Sequence, residues 1–536
     1  MLRIRNIKVN VKENCDLKTK AADILRCRQE DIRTFRIVRR SVDARKKDNV
    51  AYVYTCDVVL DRKKEEQILK RKRPNIEKTE NRVYRQPRLA EIPEKRPVIA
   101  GFGPAGIFCS LLLARAGARP IVLERGSDAE TRKKKVEEFR TAGKLDTECN
   151  VQFGEGGAGT FSDGKLTTGV NDTRIPFVLR TFADHGAPDE ITYDAKPHIG
   201  TDILTDVIVS IRKEIERLGG EVLFDTRLVD VDICGGAVSG VSAVDNRTGE
   251  NLYIETDSLV MAVGHSARDT FEMLDGRKIS MEPKPFAMGV RIEHKQSWLN
   301  GLQYGDFSPY LPAADYKVNC KTNDGTGVYT FCMCPGGYVI AAASEDEGVV
   351  TNGMSNNARD GENCNAALLV TLHPEDFPYD GPLGGAVWQR EIEHSCYVAG
   401  GSNYNAPAQT VGDFLSGKKT ESFADVTPTY IPGVTGCDLS DVLPCILTER
   451  LKEAIIELDR KLPGFAYDGA VLTAPESRSS SPVRIIRDSG SLESVSVDGL
   501  YPCGEGAGYA GGIMSAALDG IKVAETYILK KLGDLG

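Results

Sequence analysis

Residues 97–106 read PVIAGFGPAG, and they constrain this chain more than any other stretch. PVIAG has the length and apolar content of a short buried strand. The glycine pattern Gly101-x-Gly103-x-x-Gly106, with Pro104 and Ala105 inside it, follows at once. IFCSLLLARAGA then has helical spacing, and RPIVLERG reads as a second strand ending in Glu124. A lone G-x-G-x-x-G is weak evidence, but here it sits in a full β-turn-α-β context. In that setting Gly101 permits the tight turn, Gly103 lets backbone approach a pyrophosphate, and Gly106 allows close helix–strand packing. The helix N-terminus offers unpaired N–H groups to phosphate. Glu124 is placed to accept hydrogen bonds from ribose hydroxyls. The pattern predicts a dinucleotide-binding parallel sheet.

The 536 residues exceed one ordinary core, so two or three domains are expected. Charge divides them. Residues 1–95 hold 27 Lys and Arg against 15 Asp and Glu, leaving 41 against 62 for the remainder. We read 1–95 as a basic N-terminal α/β domain, with a strand at RIRNIKVNV, a helix at LKTKAADILRC, a hairpin from RTFRIVRRSVDAR and NVAYVYTCDVVL, then a charged helix and a Pro-containing linker. Residues 96–277 read as the first segment of a dinucleotide-binding domain. They include an amphipathic helix at DILTDVIVSIRKEIERLGG, a strand at EVLFDTRLVDVDI, a small antiparallel meander and a buried strand at DSLVMAVG. Residues 278–495 read as an inserted α+β substrate domain with one clear helix, VLPCILTERLKEAIIELDRKL. Residues 496–536 return a strand, a Gly-rich turn and a long helix to the first sheet.

No stretch reaches the ~18 apolar residues of a membrane span, and MLRIRNIKVNVKEN lacks a signal-peptide core. The 14 scattered cysteines contain no C-x-x-C pair, which fits reduced thiols. Together these predict a cytoplasmic protein with no membrane partner.

Two later turns distinguish FAD from NAD. Ala262 and Gly264 close a buried strand with a small turn. Gly504-Glu505-Gly506 follows another strand and opens the last helix, whose N-terminus can face the flavin N1–C2=O edge. These motifs resemble the FAD-binding half of the glutathione-reductase-like flavoproteins, with Glu505 where an Asp is usual. EGGAGTFSDGKLTTG, AVGHSARDTFEML, FCMCPGGYVI and CGEGAGYAGGIMSAALDGI resemble, more narrowly, a bacterial family of FAD-dependent dehydrogenases of unassigned substrate. They are distantly similar to the BaiN-like flavoproteins. The resemblance spans nearly the whole chain. It implies that Gly101, Gly103, Gly106, Glu124 and Arg125 hold adenosine and pyrophosphate, that the strand around Val229 offers backbone to adenine, and that Gly504, Glu505, Gly512 and Ile513 hold the ribityl chain and flavin.

The stretch Gly159-Thr160-Phe161-Ser162-Asp163-Gly164-Lys165-Leu166 is one residue short of a P-loop. Leu166 stands where the Mg²⁺-binding hydroxyl must be, and no helix start follows. No second dinucleotide domain is recognised, in contrast to glutathione reductase. The loop's glycines are expected to run close to the flavin, with Ser162, Asp163 and Lys165 near the reacting edge. In ESRSSSPVRI, Arg478 and Arg484 are placed to clamp a carboxylate or phosphate substrate, one that Lys165 is expected to share; a solvated loop with ion pairs is the plainer alternative. His265, Arg268 and Asp269 either line the flavin or, with Ser266, cap the next helix. Cys332 and Cys334 read as two small buried residues before a turn rather than a redox or metal pair. His198, His294 and His394 show no metal spacing. The expected activity is hydride transfer between an organic substrate and flavin. The alternatives are an RNA-modifying flavoenzyme, against which the absence of stacking aromatics in the basic domain counts, and an electron-transfer or sensor protein facing an acidic carrier. Docking of the basic domain on the acidic remainder of the chain is the simpler use of the charge split.

Overall fold

The computed structural model describes residues 1–80 and 84–533. Residues 81–83 of the expected linker, and 534–536 at the end of the expected C-terminal segment, lie outside the described residues.

The N-terminal unit is built from β1 (Leu2–Asn10), α1 (Leu17–Leu25), β2 (Thr34–Asp43), β3 (Ala51–Val59), α2 (Arg62–Lys70) and β4 (Ile76–Lys78). Its four strands form an antiparallel sheet in the order β2-β3-β1-β4. Leu2, Ile4, Ile7 and Val58 alternate inward to meet Ala21, Ala22 and Leu25 of α1. Asp16 starts α1 by accepting from the N–H groups of Lys18 and Thr19. The unit does not float on its linker. Arg40 of edge strand β2 exchanges backbone bonds with Tyr193 and Ala195, both 2.8 Å, and its guanidinium takes both oxygens of Asp194 at 2.6 and 2.7 Å.

The second unit carries β5 (Val98–Ala100), α3 (Pro104–Ala116), β6 (Ile121–Leu123), α4 (Ala129–Ala142), α5 (Ile175–Asp184), α6 (Thr201–Arg217), β7 (Glu221–Leu223), the meander β8 (Thr226–Cys234), β9 (Ala237–Asp245) and β10 (Asn251–Glu255), and β11 (Leu259–Met261). Strands β11, β5, β6 and β7 are parallel neighbours. The single strand expected over EVLFDTRLVDVDI is in fact two, split by Asp225 in the left-handed region (φ 51). One piece stays in the parallel sheet and the other leaves for the meander.

The chain then builds α7 (Arg268–Gly276), β12 (Met281–Pro283), β13 (Phe286–Lys295), α8 (Gln296–Tyr304), β14 (Asn319–Lys321), β15 (Gly327–Cys334), β16 (Tyr338–Ala341), β17 (Thr351–Met354), β18 (Asn363–Leu372), α9 (Gly384–Gly400), β19 (Ala406–Thr410), α10 (Val411–Ser416), β20 (Val434–Gly436), α11 (Cys445–Lys461), β21 (Val471–Glu476) and β22 (Val483–Ile485). Seven of these strands form a mostly antiparallel sheet ordered β14-β15-β18-β13-β21-β19-β20. Its centre is the ten-residue pairing of β13 with β18, both nearly wholly buried. The sequence shows one clear helix here, α11, but α9 is equally long. Its glycine start and burial on several sides blur the amphipathic stripe by which a surface helix is recognised.

Finally β23 (Leu500–Pro502) joins the parallel sheet beside β11, giving the order β23-β11-β5-β6-β7, and α12 (Ile513–Lys531) packs on α3. That packing is close because Gly520 has no side chain: a Cβ there would lie 2.1 Å from the Ala105 carbonyl oxygen. The fold is thus a mixed α/β architecture with a parallel Rossmann-like sheet, a β-meander, an inserted α+β domain and a small N-terminal α/β unit.

Candidate FAD and redox site

Three turns converge at the carboxyl ends of β5, β11 and β23, which are adjacent in the sheet. At the first, Gly103 precedes α3, Pro104 occupies its first turn, and no side chain caps the helix. A Cβ on Gly101 would lie 2.4 Å from the Ala262 carbonyl oxygen, and one on Gly106 would lie 2.0 Å from that of Gly101. Both positions are closed by packing. Gly103 is different, since the nearest heavy atom to an added Cβ is 3.8 Å away. It is the glycine that faces open space. At the second turn, Ala262 N–H bonds the Ala100 carbonyl at 2.8 Å, and a Cβ on Gly264 meets nothing within 4 Å. At the third, Gly504 N–H donates to Asp519 at 2.7 Å, while Gly512 N–H donates to Glu505 Oε2 at 3.2 Å just before Ile513 opens α12. No side chain caps α12 either. His265 Nδ1 lies 3.0 Å from Glu505 Oε1, and its buried Nε2 has no partner.

Glu124 is 4% exposed and its carboxylate is occupied by backbone. Oε2 accepts from Phe102 N–H at 2.8 Å; Oε1 accepts from Gly126 at 3.0 Å and Gly154 at 2.8 Å. It ties the first turn to the loop that follows α4. Arg125 turns toward a cavity of about 370 Å³, where it pairs with Asp269 at 2.9 Å and Glu148 at 2.9 Å and lies over the Phe153 ring. Burial works against the Arg125 charge, but Asp269 and Glu148 outweigh it and hold its pKa above the usual guanidinium value. Burial likewise opposes Asp269, and Arg125 and Arg227 overcome it, holding the carboxyl below its usual range. The β8–β9 register slips between Leu228 and Asp230, so Val229 is an extra residue opposing no partner. Such a bulge leaves backbone groups available to a ligand.

The loop with the P-loop look-alike packs beside these turns. Gly156 N–H bonds the Phe102 carbonyl at 3.0 Å, and a Cβ on Gly159 would lie 3.0 Å from the Ile513 side chain. Thr160 is buried and its carbonyl accepts from Thr201. Ser162 bonds its own loop, to the Gly159 carbonyl at 2.7 Å and from Gly164 N–H at 3.1 Å. Asp163, 1% exposed, is paired to Arg359 with Nε at 2.9 Å. Lys165 donates to the Met333 carbonyl of the inserted domain. Leu166 is 2% exposed, a core residue, and the next α-helix, α5, starts only at Ile175.

Several expectations are corrected. Arg478 does not face a ligand space. It is buried against Glu393, Nε to Oε1 at 2.9 Å and Nη2 to Oε2 at 2.7 Å, and also reaches Ser344 and Glu345. Arg268 binds the same carboxylate from the other side at 2.9 Å twice. Burial opposes the Glu393 charge, yet Arg268 and Arg478 hold its pKa far below the usual carboxylate range. Two buried arginines around one buried glutamate form a structural pin between α7, α9 and the loop after β21. Arg478 and Lys165 therefore do not share a substrate in this arrangement. Ser266 and Asp269 do not cap α7; Ser266 bonds Gln152 at 3.2 Å and Asp269 pairs with Arg125 and Arg227. His198, His294 and His394 each bond a backbone carbonyl, and no group of metal-ligating side chains occurs among the described residues. Sequence reasoning missed Asp519, which accepts from both the Gly504 N–H and the Arg487 guanidinium at 2.7 Å, and Gln152, which bonds Ser266. Only the spacing of Asp519 on the buried face of α12 hinted at a role.

Residues 285–479, within the inserted domain, match the family model described as FAD-dependent protein, C-terminal domain-like, and residues 1–59 match a domain of unknown function. A protein of Clostridium beijerinckii (strain ATCC 51743 / NCIMB 8052), described as uncharacterized, is 47% identical over 536 residues, covering 99% of each chain. Among solved structures, the flavin-dependent brominase Bmp2 is 13% identical over 82% of this chain and 80% of its own, with a TM-score of 0.39. Glycine oxidase from Bacillus cereus ATCC 14579 is 12% identical, covering 83% and 96%, at 0.31. Glycerol-3-phosphate dehydrogenase from Bacillus halodurans, complexed with FAD, is 15% identical, covering 58% and 53%, at 0.29. The domain match and the three converging turns define an FAD-dependent protein of the oxidoreductase-like class, and its cofactor is FAD. The chain belongs to the family of the Clostridium protein.

The residues present fit that cofactor. Gly103 leaves an approach for pyrophosphate, α3 and α12 present uncapped N-termini, Val229 has no strand partner, and His265 carries an orphaned buried nitrogen beside Glu505. Among the described residues no helix is long and apolar enough to cross a membrane.

Proposed function

We propose that this protein is an FAD-dependent oxidoreductase that moves a hydride between an organic substrate and the flavin without a second nucleotide-binding domain. The observation that carries this reading is the convergence of three uncluttered turns, at Gly103, Gly264 and Gly512, on adjacent strand ends. Gly101, Gly103, Pro104, Ala105 and Gly106 would hold the pyrophosphate against the α3 N-terminus, Arg125 and Val229 the adenosine, and Glu505, Gly512 and Ile513 the ribityl and pyrimidine side. Bound FAD supplies two-electron chemistry.

The chain's own groups orient and discriminate. Glu505 is positioned twice, by His265 and by the Gly512 N–H. With Nδ1 committed to Glu505, His265 has Nε2 free to donate or hold a proton at the site. The α12 N-terminus favours negative charge at its mouth. Leu166 and Ile513 exclude water from the inner side of the loop.

Purified protein should be yellow. Anaerobic photoreduction of the bound flavin, followed by a screen of acceptors for reoxidation, tests the activity. Protein that takes up FAD but passes electrons only to a carrier protein would replace hydride transfer with electron transfer. Protein that never binds FAD would remove the reading.

A further inference from the structure

Strand β15 ends in a distortion. Its register against β18 slips between Phe331 and Cys334, so Cys332 and Met333 form a bulge. Cys332 sits in the left-handed region with φ 41, where a non-glycine side chain is strained. The bulge turns the Met333 carbonyl toward Lys165 and folds the Cys334 side chain back toward Cys332. Cys334 Sγ lies 3.2 Å from the Cys332 carbonyl oxygen.

A buried cation faces this pair. Arg291, fully buried on β13, reaches the Cys332 carbonyl at 3.0 Å and Cys334 Sγ at 3.8 Å, and bonds Asn365. Its head fits because position 353 is glycine; a Cβ there would lie 2.0 Å from Arg291 Nη2. Glu476 is 3.5 Å from Arg291 Nη1, too far to satisfy the guanidinium, whose Nε and Nη1 have no hydrogen-bond partner. Tyr316 and Asp163 are further titratable groups beside the pair, and Cys364 lies next to Tyr316. The neighbouring Cys334 lowers the Cys332 pKa, burial opposes, and Arg291 and Lys165 add to the lowering; Cys332 and burial raise Cys334. One thiol is thus held toward thiolate, with the second held protonated beside it. Phe331, at the outer end of the bulge, is 38% exposed and Cys332 is part-exposed, whereas Cys334 is fully buried, so the pair is approached from the Cys332 side. All 14 cysteines are free thiols.

We propose that Cys332 and Cys334 are a thiol–disulfide exchange site, with Cys332 the attacking sulfur, Cys334 the resolving one, and a low-molecular-weight disulfide the reactant. The Cys332 thiolate attacks one sulfur of R–S–S–R and expels R–S⁻. Cys334 then gives up its proton, and its sulfur displaces the second R–S⁻ from Cys332. The carrier S–S bond breaks and one S–S bond forms within the chain. Two electrons pass from the cysteines to the carrier, which leaves as two thiols bearing the two protons. Lys165 holds the loop beside α12 onto the same bulge, so closing this bond acts directly on the expected flavin-side loop.

The full chain is loaded with FAD, reduced, and equilibrated anaerobically with glutathione and glutathione disulfide at stepped ratios, then acid-quenched and alkylated in denaturant. Trypsin releases residues 322–359 as one peptide, which holds Cys332 and Cys334 and no other cysteine. The expected result is a single transition in which both alkylation sites disappear together and the peptide becomes two hydrogens lighter. In Cys334→Ser the reaction stops with one glutathione on Cys332; in Cys332→Ser, Cys334 takes up glutathione at least tenfold more slowly. Two free thiols at every ratio, or glutathione retained on one cysteine of the unsubstituted chain at equilibrium, overturns the proposal. The same measurement on flavin-free protein separates this from the FAD reading: colourless protein that completes the exchange discards the cofactor assignment and keeps the thiol pair.

Discussion

Gly157 lies directly on Gly103. A Cβ added to Gly157 would come within 2.9 Å of the Gly103 Cα, whereas one added to Gly103 meets nothing closer than 3.8 Å. The loop after α4 therefore covers the dinucleotide turn from one side and leaves Gly103 a free face.

This asymmetry divides the motif glycines by experiment. Gly103→Ala is expected to fold with little change in urea midpoint yet bind FAD at least tenfold more weakly, read by flavin fluorescence. Gly106→Ala and Gly101→Ala, each with a Cβ inside 2.5 Å of a carbonyl oxygen, are expected to destabilise by more than about 2 kcal/mol. Equal losses of stability for all three would show that Gly103 serves packing alone.

Glu393 holds two buried arginines. Glu393→Ala leaves Arg268 and Arg478, 3% and 8% exposed, without their shared carboxylate. Removing one partner of a buried pair costs on the order of 3–5 kcal/mol. We expect a matching fall in the denaturation midpoint, with the absorbance maximum of residual bound flavin unmoved. A shifted flavin spectrum with unchanged stability would return Arg478 to a ligand-binding role.

Two buried groups oppose each other in acid. Burial lowers the His294 pKa to about 4, so its stabilising contribution is present above the unfolded value near 6.5 and is lost as pH falls toward 4. Burial raises the Glu476 pKa to about 7 against the partial opposition of Arg291, so its contribution is present below about 4.5 and is lost as pH rises through 7. Each is on the order of 3 kcal/mol, and between pH 4.5 and 6.5 they offset. Glu476→Gln should therefore unmask a stability that rises with pH across that window, and His294→Gln one that falls, by urea denaturation. Parallel pH profiles for both variants and the parent would refute the assignment.

Arg40 and Asp194 dock the basic domain. Arg40→Ala removes two ion-pair bonds at a part-exposed interface, worth about 1 kcal/mol. Faster amide exchange along β2, with exchange in β13 unchanged, is expected by mass spectrometry.

The parallel sheet, the three Gly-rich turns and the long amphipathic helices were legible because each depends on local chemistry: positive φ, close approach or a 3.6-residue stripe. What escaped depends on distant partners. Arg478 carries the same letters whether it clamps a ligand or binds Glu393, 85 residues away. The helix α9 is buried too evenly to show a stripe. Cys332 and Cys334 look like any alternate pair in a strand, since nothing local announces the bulge that Arg291, Gly353 and Lys165 complete.

The order β23-β11-β5-β6-β7 has a consequence during synthesis. Strand β11 ends at Met261 and its outer neighbour begins at Leu500, so about 240 residues must be added before that edge is covered. At about 5–20 residues per second this takes on the order of 10–50 s. Over that time the ribosome carries a sheet with an open edge and no third turn, while the inserted domain is completed. The three turns that would hold the cofactor come together only after the inserted domain has been made.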